Sequence, residues 1–135
     1  MNTRFADTFY FLALLNPGDG AHAAARTWAA DLGGRLVTTD WVIVEVADAL
    51  AAPSLRTAFL ALWAEIGNHP AIEIIPAERT LLSRGIELYA RRPDKQWSLT
   101  DCISFVVISD RGLAEALTGD HHFEQAGFRA LMRTP

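Results

Sequence analysis

Along this chain, short apolar runs of strand length alternate with longer stretches whose apolar residues recur every three or four positions. That alternation is the pattern of an α/β domain built on a mainly parallel sheet. Thr3 to Ala6 predicts a first strand, Thr8 to Leu15 a helix stopped by Asn16-Pro17-Gly18, and Ala21 to Leu32 a second helix ended by Gly33-Gly34. Leu36 to Thr39 reads as the second strand. Asp40 opens a helix reaching about Ala51, and Pro53 stands near the start of the next, which runs to about Gly67. Ile72 to Ile75 predicts a third strand and Ala77 to Ala90 a helix. After a basic loop, Ser98 to Ser109 forms a strongly apolar helix. Ala114 to Thr118 is a fourth strand by position, although its composition suits a helix equally. Asp120 to Ala126 makes a short helix capped by Gly127, and Phe128 to Met132 an edge strand. There is no internal repeat, and 135 residues fit one domain spanning 1–135 with a real core.

Laid over these elements, the acidic residues take on a pattern. Each has an ordinary explanation: Asp7 and Asp120 stand where helix N-caps belong, Asp101 completes the capping box Ser98-Leu99-Thr100-Asp101, and Glu45 shares a polar stripe with Asp48. Yet Asp7, Glu45 and Asp120 each follow a strand near the start of a helix. In a parallel sheet such positions gather at the carboxyl edge, where these folds bind ligands. Asp101 has no obvious strand before it and can join them only through the tertiary fold.

If the four converge to about 5 Å, each like-charged pair costs on the order of 3 kcal/mol at an effective dielectric near 20. Helix caps worth about 1 kcal/mol each do not offset that. Either some carboxyls stay protonated or a cation sits among them. An oxygen-only donor set suits Mg²⁺ or Mn²⁺, the ions of metal-assisted phosphodiester hydrolysis.

Composition sharpens the picture in three ways. Half the residues are hydrophobic and the mean hydropathy is +0.13, so a second copy or a partner protein is expected to cover part of the surface. The single cysteine, Cys102, lies in an apolar segment and reads as a buried thiol of a cytoplasmic protein. The net charge of -4 disfavours grip on nucleic acid by overall charge, but Arg91, Arg92 and Lys95, between Tyr89 and Trp97, form a local cluster able to hold phosphates and stack bases. A solvated loop is its plain alternative. The apolar run Phe9 to Leu15 only faintly imitates a signal peptide, since Asp7 interrupts its approach, and no stretch reaches the roughly 18 apolar residues of a membrane span.

Within Thr118-Gly119-Asp120-His121-His122-Phe123, Asp120 is the expected ligand, Gly119 is expected to let the backbone turn tightly, and Thr118 is a candidate to orient a metal-bound water. His121 and His122 are adjacent on a helix, so their side chains are expected to diverge and not share one ion. Phe123 is expected in the core.

These residues resemble the four acidic motifs of PIN-domain ribonucleases: Asp7-Thr8 after the first strand, Glu45 in VIVEVADAL, Asp101 in WSLTDCISFVV and Asp120 in LTGDHHFEQAGF. The likeness runs from Asp7 to about Phe128 and is nearest to the small toxins of toxin-antitoxin pairs. It implies a three-layer α/β/α fold and Mg²⁺- or Mn²⁺-dependent cleavage of RNA leaving a 5′-phosphate and a 3′-hydroxyl. It further implies a homodimer and a cognate antitoxin. Asp7, Glu45, Asp101 and Asp120 would hold the metal, with Thr8, Ser98, Thr100 and Thr118 as hydroxyls that support them. A catalytically weak RNA-binding scaffold is the alternative, and retention of all four acids argues against it. A phosphoryl-accepting receiver domain expects a lysine after the last strand, whereas the only lysine here is Lys95.

Overall fold

The computed structural model describes residues 2–30 and 33–133. Five strands, β1 (Thr3–Ala6), β2 (Arg35–Thr39), β3 (Ile72–Ile75), β4 (Glu115–Leu117) and β5 (Arg129–Ala130), form one sheet in the order β3-β2-β1-β4-β5. Every pairing is parallel. Between them lie α1 (Thr8–Leu15), α2 (His22–Ala30), α3 (Asp40–Ala49), α4 (Arg56–Gly67), α5 (Arg79–Arg91), α6 (Leu99–Asp110) and α7 (His121–Gln125). The chain steps from β1 to β2 to β3 in one direction and then from β4 to β5 in the other. Right-handed crossovers therefore place α1 to α4 on one face and α5 to α7 on the other. The packing agrees: α1 rests on α2 and α3, whereas α5 rests on α6 and α6 on α7. This is the expected three-layer α/β/α arrangement.

The fully buried side chains Phe5, Phe11, Leu36, Val37, Ile103, Ile108, Leu117 and Phe123 fill the two spaces between sheet and helices. The strands β1, β2 and β4 are central and buried on both faces, which is why their apolar runs are nearly continuous. Phe105 meets Trp97 and Phe123 edge to face at 5.0 Å, tying the start of α6 to α7. Cys102 is buried, as its apolar surroundings predict.

Most predicted boundaries shift by one or two residues. The segment near Pro53 is a separate 3-10 turn, Pro53–Leu55, rather than the start of α4. The fifth helix begins at Arg79, because Pro76-Ala77 remains extended and Glu78 takes the N-cap position. The predicted end of the second helix at Leu32 lies outside the described residues. Gly119 does not turn in the left-handed region; it is needed because a Cβ there would collide with the ring of Phe9. Gly127, at φ 96°, does have the conformation that a helix-ending glycine supplies.

Candidate active site

The sheet reverses its winding between β1 and β4, and a ligand crevice belongs at that switch point. Asp7 follows β1 directly, and its amide donates to the carbonyl of Leu117, the last residue of β4, at 3.3 Å. Thr118 and Asp120 lie just beyond. The third contributor, Glu45, projects from the second turn of α3 after the neighbouring strand β2. Asp101 reaches the same edge for a reason invisible in local sequence: α6 must run back across the sheet to begin β4, so its N-terminus starts at the carboxyl edge.

Asp7 occupies the N-cap position of α1, yet its side chain makes no capping hydrogen bond. It is 5% exposed, and Oδ2 accepts a hydrogen bond from the Thr118 hydroxyl at 2.8 Å. Burial, helped by neighbouring Asp101 and Glu45 and opposed by the Thr118 hydroxyl and the Thr8 amide, pushes its carboxyl up to about 7. Asp101 is likewise buried and raised, first by burial and then by Asp120, against the Ser98 amide and His122. The capping box is real, with Asp101 N donating to Ser98 Oγ at 3.0 Å and Ser98 N to Asp101 Oδ2 at 3.2 Å. Glu45 accepts a hydrogen bond from the hydroxyl of Thr8. Each acid thus influences the next, in the sequence Glu45, Asp7, Asp101, Asp120.

Two hydroxyls each hold one of these acids, Thr8 on Glu45 and Thr118 on Asp7, whereas the Asp101 carboxylate is held by the backbone amide of Ser98. The Thr100 hydroxyl does not figure in these contacts. The one proton of Thr118 goes to Asp7, and its oxygen also accepts from the amide of Asp120 at 3.1 Å. It therefore positions two acids. Asp120 does cap its helix, its Oδ1 accepting from His122 N at 2.9 Å.

The histidines depart from the expected divergence. Their rings stand 4.5 Å apart, and Nδ1 of His121 and of His122 lie 3.6 and 3.4 Å from the same oxygen, Asp120 Oδ1. His122 Nδ1 is also 3.1 Å from Asp101 Oδ2. Adjacent residues diverge in the middle of a helix, whereas these follow an extended N-cap, and the turn brings them together. The legible signal was the N-cap aspartate immediately before both imidazoles.

The basic cluster is only partly available. Arg92 forks onto Asp94 at 3.0 and 3.1 Å and lies over the Trp97 ring at 5.0 Å. Trp97 is buried and donates to Gln125 Oε1, so it offers no face to a base, contrary to expectation. Arg91 is exposed, and exposed Tyr89 and half-buried Lys95 line a cleft of about 480 Å³ that adjoins the start of α6.

The carboxyl donors fit a hard divalent ion. All are oxygen, two are buried with raised protonation, and a cation would relieve both burial and mutual repulsion.

The PIN domain family model matches residues 4–129. The chain is 28% identical over 125 residues to the 23S rRNA-specific endonuclease VapC20 of Mycobacterium tuberculosis, in two strains, covering 92% of this chain and 94% of the relative. Its fold matches the crystal structure of Mycobacterium tuberculosis VapC20, described as a sarcin-ricin loop cleaving toxin, with a TM-score of 0.83 and 27% identity, covering 92% of this chain and 95% of that one.

Proposed function

The chain belongs to the PIN-domain family, and on that premise we propose that it is a Mg²⁺- or Mn²⁺-dependent endoribonuclease, the toxin of a toxin-antitoxin pair, with its active site at Asp7, Glu45, Asp101 and Asp120. One observation carries the reading: Asp7 is buried at an N-cap, does not cap, and is held among other acids at a raised pKa of about 7. Structure alone gives a carboxylate no reason to be there.

Asp7, Asp101 and Asp120 would hold the ion, with Glu45 acting directly or through water. When bound, such an ion supplies Lewis acidity and a water of lowered pKa. The chain's own residues do the positioning. Thr118 fixes the rotamer of Asp7, the Ser98 backbone amide that of Asp101, and Thr8 that of Glu45. The relative's action on 23S rRNA supports a structured RNA substrate, with phosphates met by Arg91 and Lys95. Hydrolysis leaves a 5′-phosphate and a 3′-hydroxyl, as in the family the motifs resemble. RNA as substrate places the work in the cytoplasm, and among the described residues no helix is long and apolar enough to cross a membrane.

The test is cleavage of ribosomal RNA in Mg²⁺ by the wild type, Asp7→Asn and Asp101→Asn. Loss of cleavage in both folded variants is expected; wild-type rates in either overturn the assignment.

A further inference from the structure

At the rim of the acidic pocket, Asp120, His121 and His122 place one donor atom each within 4.8 Å of one another. The spacing between neighbouring donors is informative. His121 Nδ1 to Asp120 Oδ1 is 3.6 Å, Asp120 Oδ1 to His122 Nδ1 is 3.4 Å, and His122 Nδ1 to Asp101 Oδ2 is 3.1 Å. Two ligands of a tetrahedral ion bonded at about 2.0–2.1 Å stand about 3.3–3.4 Å apart. Cis ligands of an octahedral ion stand about 3.0 Å apart.

From this geometry we infer that His121, His122 and Asp120 form a site for a nitrogen-preferring divalent transition ion of the Zn²⁺ and Co²⁺ class, with Asp101 from α6 holding His122 at its edge. Imidazole suits such ions, whereas Mg²⁺ takes oxygen. A simple ion pair accounts for one ring, since His122 alone reaches both carboxylates. It does not account for His121. That side chain is 55% exposed and has open solvent to point into, yet its nitrogen faces the oxygen His122 already faces.

The site uses neither Asp7 nor Glu45, so it does not require the nuclease reading. Where that reading also holds, the two sites share Asp120. An ion of the Zn²⁺ class then withdraws that carboxylate from the cleavage site and inhibits Mg²⁺-supported cleavage.

The experiment is a CoCl₂ titration of the full chain, followed by the visible d–d absorption that reports nitrogen ligation. One Co²⁺ per chain is expected for the wild type and for Asp7→Asn. His121→Ala and His122→Ala, each checked for folding by circular dichroism, are expected to bind at least tenfold more weakly with an altered spectrum. His121 is exposed, so its variant tests the site without disturbing the core. Unchanged Co²⁺ affinity and spectrum in both histidine variants overturns the inference, as does loss of binding in Asp7→Asn, which would put the ion among the acids instead. Absence of Mg²⁺-dependent RNA cleavage by the wild type would sink the nuclease reading alone and leave the Co²⁺ result standing.

Discussion

The Thr118 hydroxyl donates to Asp7 Oδ2 at 2.8 Å, joining residues 111 positions apart at the one place where the sheet changes its winding. Both are buried, so the bond is made in a poorly solvated site where an unpaired partner is expensive. Thr118→Val keeps the shape and removes the oxygen. Without metal, this variant is expected to be less stable by about 1–3 kcal/mol in urea unfolding. It is also expected to need more Mg²⁺ for half-maximal cleavage, because Asp7 loses its rotamer lock. Thr118→Ser should restore both. A valine variant with wild-type stability and metal dependence would show that the hydroxyl positions nothing.

Asp7 also sets a direction for stability against pH. Its carboxyl titrates near 7 when folded and near 3.8 when unfolded. Between those values the folded state holds a proton that the unfolded chain has released, so stability falls as pH rises through the window and levels off above about 7. The full effect is a few kcal/mol at about 1.4 kcal/mol per unit. Asp101 acts in the same direction, whereas Glu73, Asp94 and Asp110, lowered by their arginine partners, act in the opposite one. Asp7→Asn isolates the residue: in chelator at pH 8 it should melt several degrees above the wild type, and at pH 4 the two should nearly coincide. Millimolar Mg²⁺ should raise the wild type at pH 8 and leave the variant unmoved. A variant no more stable than wild type at pH 8 would contradict the buried, uncompensated carboxylate.

What could be read from the sequence follows from which forces are local. The acids after β1, β2 and β4 were legible because a parallel sheet sends its carboxyl ends to one edge, and the Ser98-to-Asp101 capping box because its spacing is fixed by one turn of helix. Asp101 joining them was not legible without a family resemblance, since it depends on α6 running back across the sheet. The contacts of Thr118 and Gly119 were not legible for the same reason. One is settled by Asp7 and the other by the ring of Phe9, both more than a hundred residues away. The paired histidines failed as an expectation because helix-interior geometry was applied to a helix start.

Helix α3 exposes Val44, the turn before α4 exposes Leu55, and α4 exposes Leu60 and Trp63, at 62% and 44%. Trp28 packs against the core, whereas Trp63 does not. A second copy of the chain or an antitoxin is expected to cover this surface. In light scattering at micromolar concentration the protein alone should weigh twice the 14.8 kDa of one chain, and Leu60→Asp with Trp63→Asp should halve that. A wild-type monomer would remove the homodimer and leave the surface to the antitoxin.

The basic cluster yields a prediction that separates its three members. Arg91 is exposed at the end of α5 and Lys95 lines the cleft beside the start of α6, whereas Arg92 is engaged by Asp94 and by the Trp97 ring. Phosphate contact by a side chain shows as a salt-dependent part of the affinity, about 0.7 in the log–log slope per phosphate of a single strand. In an Asp7→Asn background, where bound RNA is not cut, Arg91→Ala and Lys95→Ala should each weaken RNA binding and lower the slope by about 0.7. Arg92→Ala should instead lower the melting temperature, by uncovering Trp97, and change the slope little. The measurement is fluorescence anisotropy of labelled RNA across a salt series. If Arg92→Ala alone flattens the slope, the ion pair with Asp94 must open when RNA binds, and Arg92 takes over the role assigned to Arg91 and Lys95.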